Sequence, residues 1–367
     1  MDTRAIKIWR AGVDAVGGYQ ATRTALAGAD QQPPDQVIAV GKAAGDMARA
    51  ALDHFGSLPT LVVTKDGHAE GLPADVHVIE SSHPVPDSRS LAAGRALRTC
   101  VQGMKAGTNL LLLVSGGASS LAEDPVEGKT LADLQALNSR LLAEGLDITA
   151  MNIERRKISR IKGGGLLAAF AGKSARVLAI SDVPGDDLSV VGSGIGAPPG
   201  TCEFDCDTRI IASNTIARDA ACDAADTLGL PVIENAEALH DDLPTLARQI
   251  GTRLRDMPRG VLVLGGEPTV VLPPNPGRGG RNQALALELA REIAGIDGLT
   301  VIVGGTDGSD GPTDAAGGVV DGHTWRPEAE QALRAADSGS FLERHGALFT
   351  TGPTGTNVMD LLIAVRD

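Results

Sequence analysis

Cysteine and aromatic side chains are scarce in this chain of 367 residues: four cysteines, at 100, 202, 206 and 222, and eight aromatics. So few cysteines exclude a disulfide-stapled secreted scaffold of this size. Cys202 and Cys206 have no second pair to complete a tetrahedral zinc site, so reduced thiols are expected. Few aromatics leave little for stacking on nucleobases. No apolar run approaches the ~20 residues that cross a bilayer; the longest, Leu110 to Val114, suffices only for a buried strand. The seven histidines form neither HExxH nor HxH, which speaks against a zinc hydrolase, and no GxxxxGK[ST] phosphate loop occurs. Positive charge is also short: 33 Lys and Arg face 46 Asp and Glu, and the net charge of −13 repels nucleic acid and anionic membranes. The opening MDTRAIKIWRAGVDAVGGY carries no apolar signal core, so a cytoplasmic protein is expected.

Glycine, by contrast, is abundant, 46 residues or one in eight, against an ordinary ~7%. The glycines cluster as GGA, KGGG, GSGIG, GGE, GRGGR, GGTDGSDG and TGPTG, mostly just after apolar β-like runs, where a missing side chain lets backbone approach a ligand. Helical spacing covers 4–27, then short apolar runs at 37–40, 58–64, 76–80, 109–114 and 175–180 alternate with amphipathic stretches such as DSRSLAAGRALRTCVQGM and TLADLQALNSRLLAEG. That alternation predicts βαβ units and a mostly parallel sheet covered on both faces. A strand at 209–212 and a helix at 215–228 extend it. VLVLGGEPTVVL reads as a hairpin, so a second α/β domain is expected from Pro258, with a helix at 281–294, a strand at 299–303 and a long Gly/Asp loop at 304–318. The expected division is therefore 1–257 and 258–367.

Several strings could carry chemistry. LLLLVSGGASSL places Ser115, Gly116, Gly117, Ala118, Ser119 and Ser120 at the carboxyl end of a buried strand, where open α/β sheets bind ligands and where N–H groups and hydroxyls can cradle an anion. Lys42 follows the first strand in AVGKAAG, one of only eight lysines. MNIERRKISRIKGGG concentrates cations, and helical spacing would put Arg155, Ser159 and Lys162 on one face. SDVPGDD offers Asp182, Asp186 and Asp187, and GGTDGSDGPTDAAGG offers Asp307, Asp310 and Asp314; carboxylates at strand ends serve as Mg²⁺ ligands or proton acceptors in phosphoryl transfer, or simply close Asx turns. GSGIG at 192–196 lacks the third glycine of a dinucleotide fingerprint and runs into Pro198 and Pro199, so it reads as a loop. GRGGRNQ supplies Arg278, Arg281 and Asn282, with Arg281 offering a bidentate fork at a helix start.

In order along the chain, AVGKAAG, SSHPVPD, VSGGASS, SRIKGGG, SDVPGDD, GGEPTV, GGRNQ, TDGSDGPTDAAGG and TGPTGTNVMDL together resemble the type II glycerate kinases, the family with a C-terminal MOFRL domain. The resemblance spans nearly the whole chain. It implies a Rossmann-like three-layer α/β N-terminal domain with a mostly parallel sheet and a smaller α/β C-terminal domain, with the active site in the cleft between them. It also implies ATP and a divalent cation, Mg²⁺, with D-glycerate as acceptor and 2-phosphoglycerate as product. Lys42, Arg281, Asp182 and Asp307 are then expected in the catalytic machinery. Ser115 to Ser120, Arg155, Lys162, Glu267, Asn282 and Asn357 are expected to bind substrate or nucleotide, and Asp186 and Asp310 the metal. Three stretches depart from the family's usual wording: ERRKIS at 154–159, VGSGIGA at 191–197 and the alanine at 284. The rival activity is an NAD(P)-dependent hydroxypyruvate reductase, and the expected assembly is a monomer or homodimer with no nucleic-acid or membrane partner.

Overall fold

A computed structural model describes residues 2–27, 32–143 and 148–367. Its helices are α1 (Thr3–Ala15), α2 (Gly18–Ala27), α3 (Ala44–Phe55), α4 (Ser88–Gln102), α5 (Ala118–Leu121), α6 (Leu131–Ala143), α7 (Ile148–Lys157), α8 (Asn214–Thr227), α9 (Leu243–Asp256), α10 (Arg281–Glu292), α11 (Ala329–Arg334) and α12 (Ser338–Arg344). The strands are β1 (Gln36–Val40), β2 (Thr60–Lys65), β3 (His77–Ser81), β4 (Asn109–Val114), β5 (Ser174–Ile180), β6 (Asp205–Ala212), β7 (Val232–Glu237), β8 (Gly260–Gly266), β9 (Leu299–Gly305), β10 (Gly317–Asp321), β11 (Leu348–Phe349) and β12 (Asp360–Arg366). None of the described helices is long and apolar enough to cross a membrane.

Two compact units result. One is Gly17–Ser213; the other joins Met1–Val16 to Asn214–Asp367. The boundary expected at Pro258 therefore falls inside a unit, between α9 and β8. The helical spacing expected over 4–27 is met by two helices, α1 and α2, separated at the Gly17–Gly18 pair, and the break coincides with the change of unit. Packing explains why α1 belongs with distant sequence. It lies on α8 and β12, and its Trp9 meets Phe349 edge to face at 5.0 Å.

In the Gly17–Ser213 unit all six strands are parallel, in the order β3-β2-β1-β4-β5-β6. This is the doubly wound order whose direction reverses between β1 and β4, and ligands of such sheets bind outside the strands' carboxyl ends at that reversal. β1 and β4 are buried at every position after the first, because helices cover both faces; their Val, Ile and Leu runs form one core with Leu97, Val101, Leu167 and Val177.

The other unit carries a mixed six-stranded sheet, β11-β10-β9-β12-β8-β7. Its antiparallel character does not come from the expected hairpin. GGEPTVVL continues past β8 as an irregular segment whose Val271 is 96% exposed, so its apolar residues have no sheet to join. The antiparallel character comes from β10, antiparallel to β9 and β11, and from the chain's last strand, β12, which inserts between β8 and β9 and pairs antiparallel with both. α9 and α10 pack together and bury Leu246, Ile250, Leu285 and Leu289 against this sheet.

Candidate active site

The carboxyl ends of β1, β3, β4 and β5 deliver the charged groups of the Gly17–Ser213 unit to one place. Ser115 N donates to Val40 O (2.9 Å), Lys42 N to Gly116 O (2.9 Å) and Ala43 N to Ser115 Oγ (3.1 Å), so the loops after β1 and β4 are tied together at the reversal point. Two glycines then make room for side chains. A methyl group on Gly116 would overlap the Asp182 carboxylate, 2.1 Å from Oδ2. Gly117, in the left-handed region at φ +82°, would bring a methyl to 3.1 Å from both Lys42 Cγ and His83 Cδ2 and 3.3 Å from His83 Nε2. Lys42, His83 and Asp182 thus converge on a backbone step stripped of side chains, which then opens into α5.

A cleft of about 690 Å³ lies beside this step, lined among others by His83, Val85, Gly117, Ser119, Asp182 and Arg155. Its polar floor is a hydroxyl chain: Ser119 Oγ is 2.7 Å from Ser193 Oγ, which donates to Asn152 Oδ1 (2.8 Å). The VGSGIGA stretch therefore is a loop, as expected, and it packs against α5 with Ser193 at φ +58°. Arg155 holds Asn138 Oδ1 through Nε (2.9 Å), and burial pushes its pKa below the usual arginine range despite the pull of Glu123. The expected helical face of Arg155, Ser159 and Lys162 does not form, because α7 ends at Lys157. Ser159 and Lys162 instead reach Glu123 from the following loop, each hydrogen-bonded to one of its oxygens. That pair is interior, the side chains 5% and 2% exposed, and burial drives the Lys162 pKa down against the opposing pull of Glu123. Lys162 is thereby an internal strut. Asp186 sits in the turn Pro184–Asp186 at φ +54° and is not among the residues lining the cleft.

The second cluster is built at the start of α10. Arg281 donates from Nε to Asp360 Oδ2 (2.6 Å), from Nη2 to Asp360 Oδ1 (3.2 Å) and from Nη1 to Glu267 Oε1 (2.6 Å). The expected open fork is therefore closed on the protein's own carboxylates. Burial opposes the guanidinium charge, but Asp360 and Glu267 outweigh it and raise its pKa; burial also raises that of Asp360, against the pull of Arg281. Asp310, expected as a metal ligand, caps α10 instead: its oxygens accept from Asn282 N (3.1 Å), Asn282 Nδ2 (3.3 Å) and Gln283 N (2.8 Å). Burial lifts its carboxyl to about 6 even so. Asn282 gives its N–H and Nδ2 to this cap while its Oδ1 is buried with no hydrogen-bond partner, and Asp307 closes an Asx turn onto Ser309 N at 2.9 Å. Asn357 is half-buried in the segment leading into β12. Among the described residues, no three His, Cys, Asp or Glu side chains are grouped to hold a metal ion.

Sequence reasoning missed His83, Glu123 and Asp360. His83 lay within SSHPVPD, just past a strand end, which is the signal that singled out Lys42 and Ser115. Asp360 stands immediately before the apolar run LLIAV, and a charge at the mouth of a central strand could have flagged it. Glu123 in SSLAEDP carries no local signal, since only tertiary packing brings Ser159 and Lys162 to it.

The first part of the chain, residues 4–226, matches a family described as a domain of unknown function, DUF4147, and residues 260–360 match the MOFRL family. A D-glycerate 2-kinase of Thermotoga maritima is 36% identical, over 98% of this chain and 97% of its own length. A protein of Agrobacterium vitis bearing a provisional hydroxypyruvate reductase name is 38% identical, over 89% of this chain and 97% of its own. The crystal structure of a glycerate kinase from Thermotoga maritima superposes with a TM-score of 0.90 at 34% identity, covering 100% of this chain and 99% of that one. The chain belongs to the DUF4147–MOFRL family that includes the D-glycerate 2-kinases.

Proposed function

We propose that this protein transfers the γ-phosphoryl group of ATP to the 2-hydroxyl of D-glycerate, giving 2-phospho-D-glycerate and ADP. The observation that carries the reading is the convergence of Lys42 and Asp182 on the Gly116–Gly117 step at the sheet's reversal point, in a chain that matches a D-glycerate 2-kinase over almost its full length.

Phosphoryl transfer depends on positioning and charge neutralisation more than on covalent work by the protein. Within Ser115 to Ser120, whose end N–H groups already donate to Val40 O and Gly117 O, the N–H groups of Gly116 to Ser119 hold phosphate oxygens, and Lys42 neutralises charge that builds on the transferring group. Arg155, whose charge burial disfavours, is stabilised by an anion in the cleft. Asp182 is the carboxylate that would hold a nucleotide-bound Mg²⁺, which would supply further charge neutralisation. Arg281 keeps a separate part in this proposal. An anion reaches its guanidinium only by displacing Glu267, the partner that is about half exposed, while buried Asp360 stays in place.

The reductase reading finds no support in GSGIG, which forms a 3₁₀ turn ahead of Pro198 and Pro199 rather than the start of a helix under a pyrophosphate. Coupling the reaction to enolase without phosphoglycerate mutase tests the proposal. Immediate phosphoenolpyruvate is the expected result. Signal only after mutase is added means a 3-phosphate product, and NADH oxidation with hydroxypyruvate in place of transfer means a reductase.

A further inference from the structure

We propose that His83 is the proton acceptor of the phosphoryl transfer, an inference that rests on the kinase reading. His83 is presented from a short segment fixed at both ends. Ser81 Oγ, at the end of β3, donates to Leu121 O at the end of α5 (2.7 Å), and Asp87 closes the segment as the capping residue of α4. Between them Pro86 O accepts from Gln135 Nε2 (3.1 Å). The imidazole therefore needs no reorganisation to face the cleft, and its Cδ2–Nε2 edge lies against Gly117, on the same point as Lys42 Cγ.

Three charged groups share this neighbourhood: Lys42 from the loop after β1, Asp182 from the loop after β5 and Arg155 from α7. Two groups at this step carry basic atoms, Asp182 and His83, and charge decides between them. The chain is net −13 and must accept a polyphosphate beside the acceptor hydroxyl. A carboxylate placed there repels the incoming phosphoryl group. A neutral imidazole takes a proton without adding negative charge, and becomes a cation next to phosphate as it does so. Nε2 takes the proton of the acceptor hydroxyl while that oxygen forms its bond to the γ-phosphorus. The bond from this phosphorus to the β–γ bridging oxygen breaks, ADP leaves with the electron pair, and the imidazolium releases its proton to water in the open cleft. Asp182 is left to the cation side of the site.

The test uses the full-length enzyme with ATP, Mg²⁺ and D-glycerate. His83→Gln should lower kcat by about 10² to 10⁴-fold, with ADP affinity by calorimetry unchanged within about twofold. His83→Gly should regain turnover when imidazole is added, a rescue that a packing role would not show. Turnover of His83→Gln within about fivefold of the parent overturns the proposal, and so does loss of ADP binding or an absence of imidazole rescue in a folded His83→Gly. A parent enzyme that fails to phosphorylate glycerate at all overturns the kinase reading itself, and is seen before any variant is made.

Discussion

The two charged clusters are organised in opposite ways. Around Gly116 and Gly117, side chains gather about bare backbone, and the cation lining the adjoining cleft, Arg155, is bonded to a neutral amide and has its charge disfavoured by burial. Around Arg281, charges gather about each other: three guanidinium nitrogens meet two carboxylates, and Asp310 is consumed by the start of α10. An anion reaching Arg155 relieves part of the cost of burying its charge. In the second the cost is already met within the chain, so the same residue types act first as structure. Residue identity does not separate the two cases; what each charge already touches does.

The largest effect that can break this contrast is structural. Arg281→Met should lower stability by roughly 3–5 kcal/mol, because Asp360, 2% exposed, is left buried without its cation. A clear drop in Tm is expected, and an unchanged Tm would place Arg281 with the ligand-ready groups. Lys42→Ala tests the first cluster through activity. It should lower kcat/KM by roughly 10²-fold or more, about 3 kcal/mol of transition-state stabilisation, in a variant that stays folded. A folded variant with near-parental turnover removes Lys42 from the chemistry.

Asp310 gives a pH-dependent test. Its carboxyl is raised by burial to about 6 from an ordinary 3.8, so between those values the folded chain holds a proton that the unfolded chain has released. Its contribution to stability is therefore greatest below about 4 and falls as pH rises through 6, of order 1–3 kcal/mol. Asp310→Asn cannot titrate, so the parent's advantage in Tm over this variant should shrink from pH 4 to pH 6. A constant difference across that window would mean that the amides of Asn282 and Gln283 hold the carboxylate ionised throughout.

Much of the first sheet was legible because its signals are local. Continuous apolar runs mark buried parallel strands, and the helices between them carry their own periodicity, so β1, β2, β4 and β5 stand close to where spacing predicts them. The candidate site residues Lys42 and Ser115 to Ser120 are named by the same signals, since each follows a strand end. The second unit was harder for a physical reason. Its central strand β12 comes last in the chain, its first helix α1 comes from the other end, and no window of sequence holds both. Lys162 shows the same limit on a smaller scale: its cationic string suggests a ligand contact, and only the arrival of Glu123 from another segment turns it into a strut.

The smallest expected effect concerns the irregular segment after β8, where sequence pattern and structure disagree most plainly. PTVVL alternates well enough to be read as a strand, yet the bridge between Asp242 and Thr269 is the only pairing recorded for it among the described residues, and Val271 stands 96% exposed. A side chain with so little buried area has almost no transfer free energy to lose. Val271→Ser should therefore change stability by no more than about ±0.5 kcal/mol, the usual range for exposed positions. Were the segment the second arm of a hairpin, the same change would remove a β-branched side chain from cross-strand packing and cost up to about 1 kcal/mol. Replicate denaturant melts separate these outcomes best if Val263→Ser, on the fully buried β8 of the same unit, is measured alongside as the packed reference. A loss at Val271 approaching that at Val263 would mean that the segment pairs in solution and that its exposure here does not describe its working state.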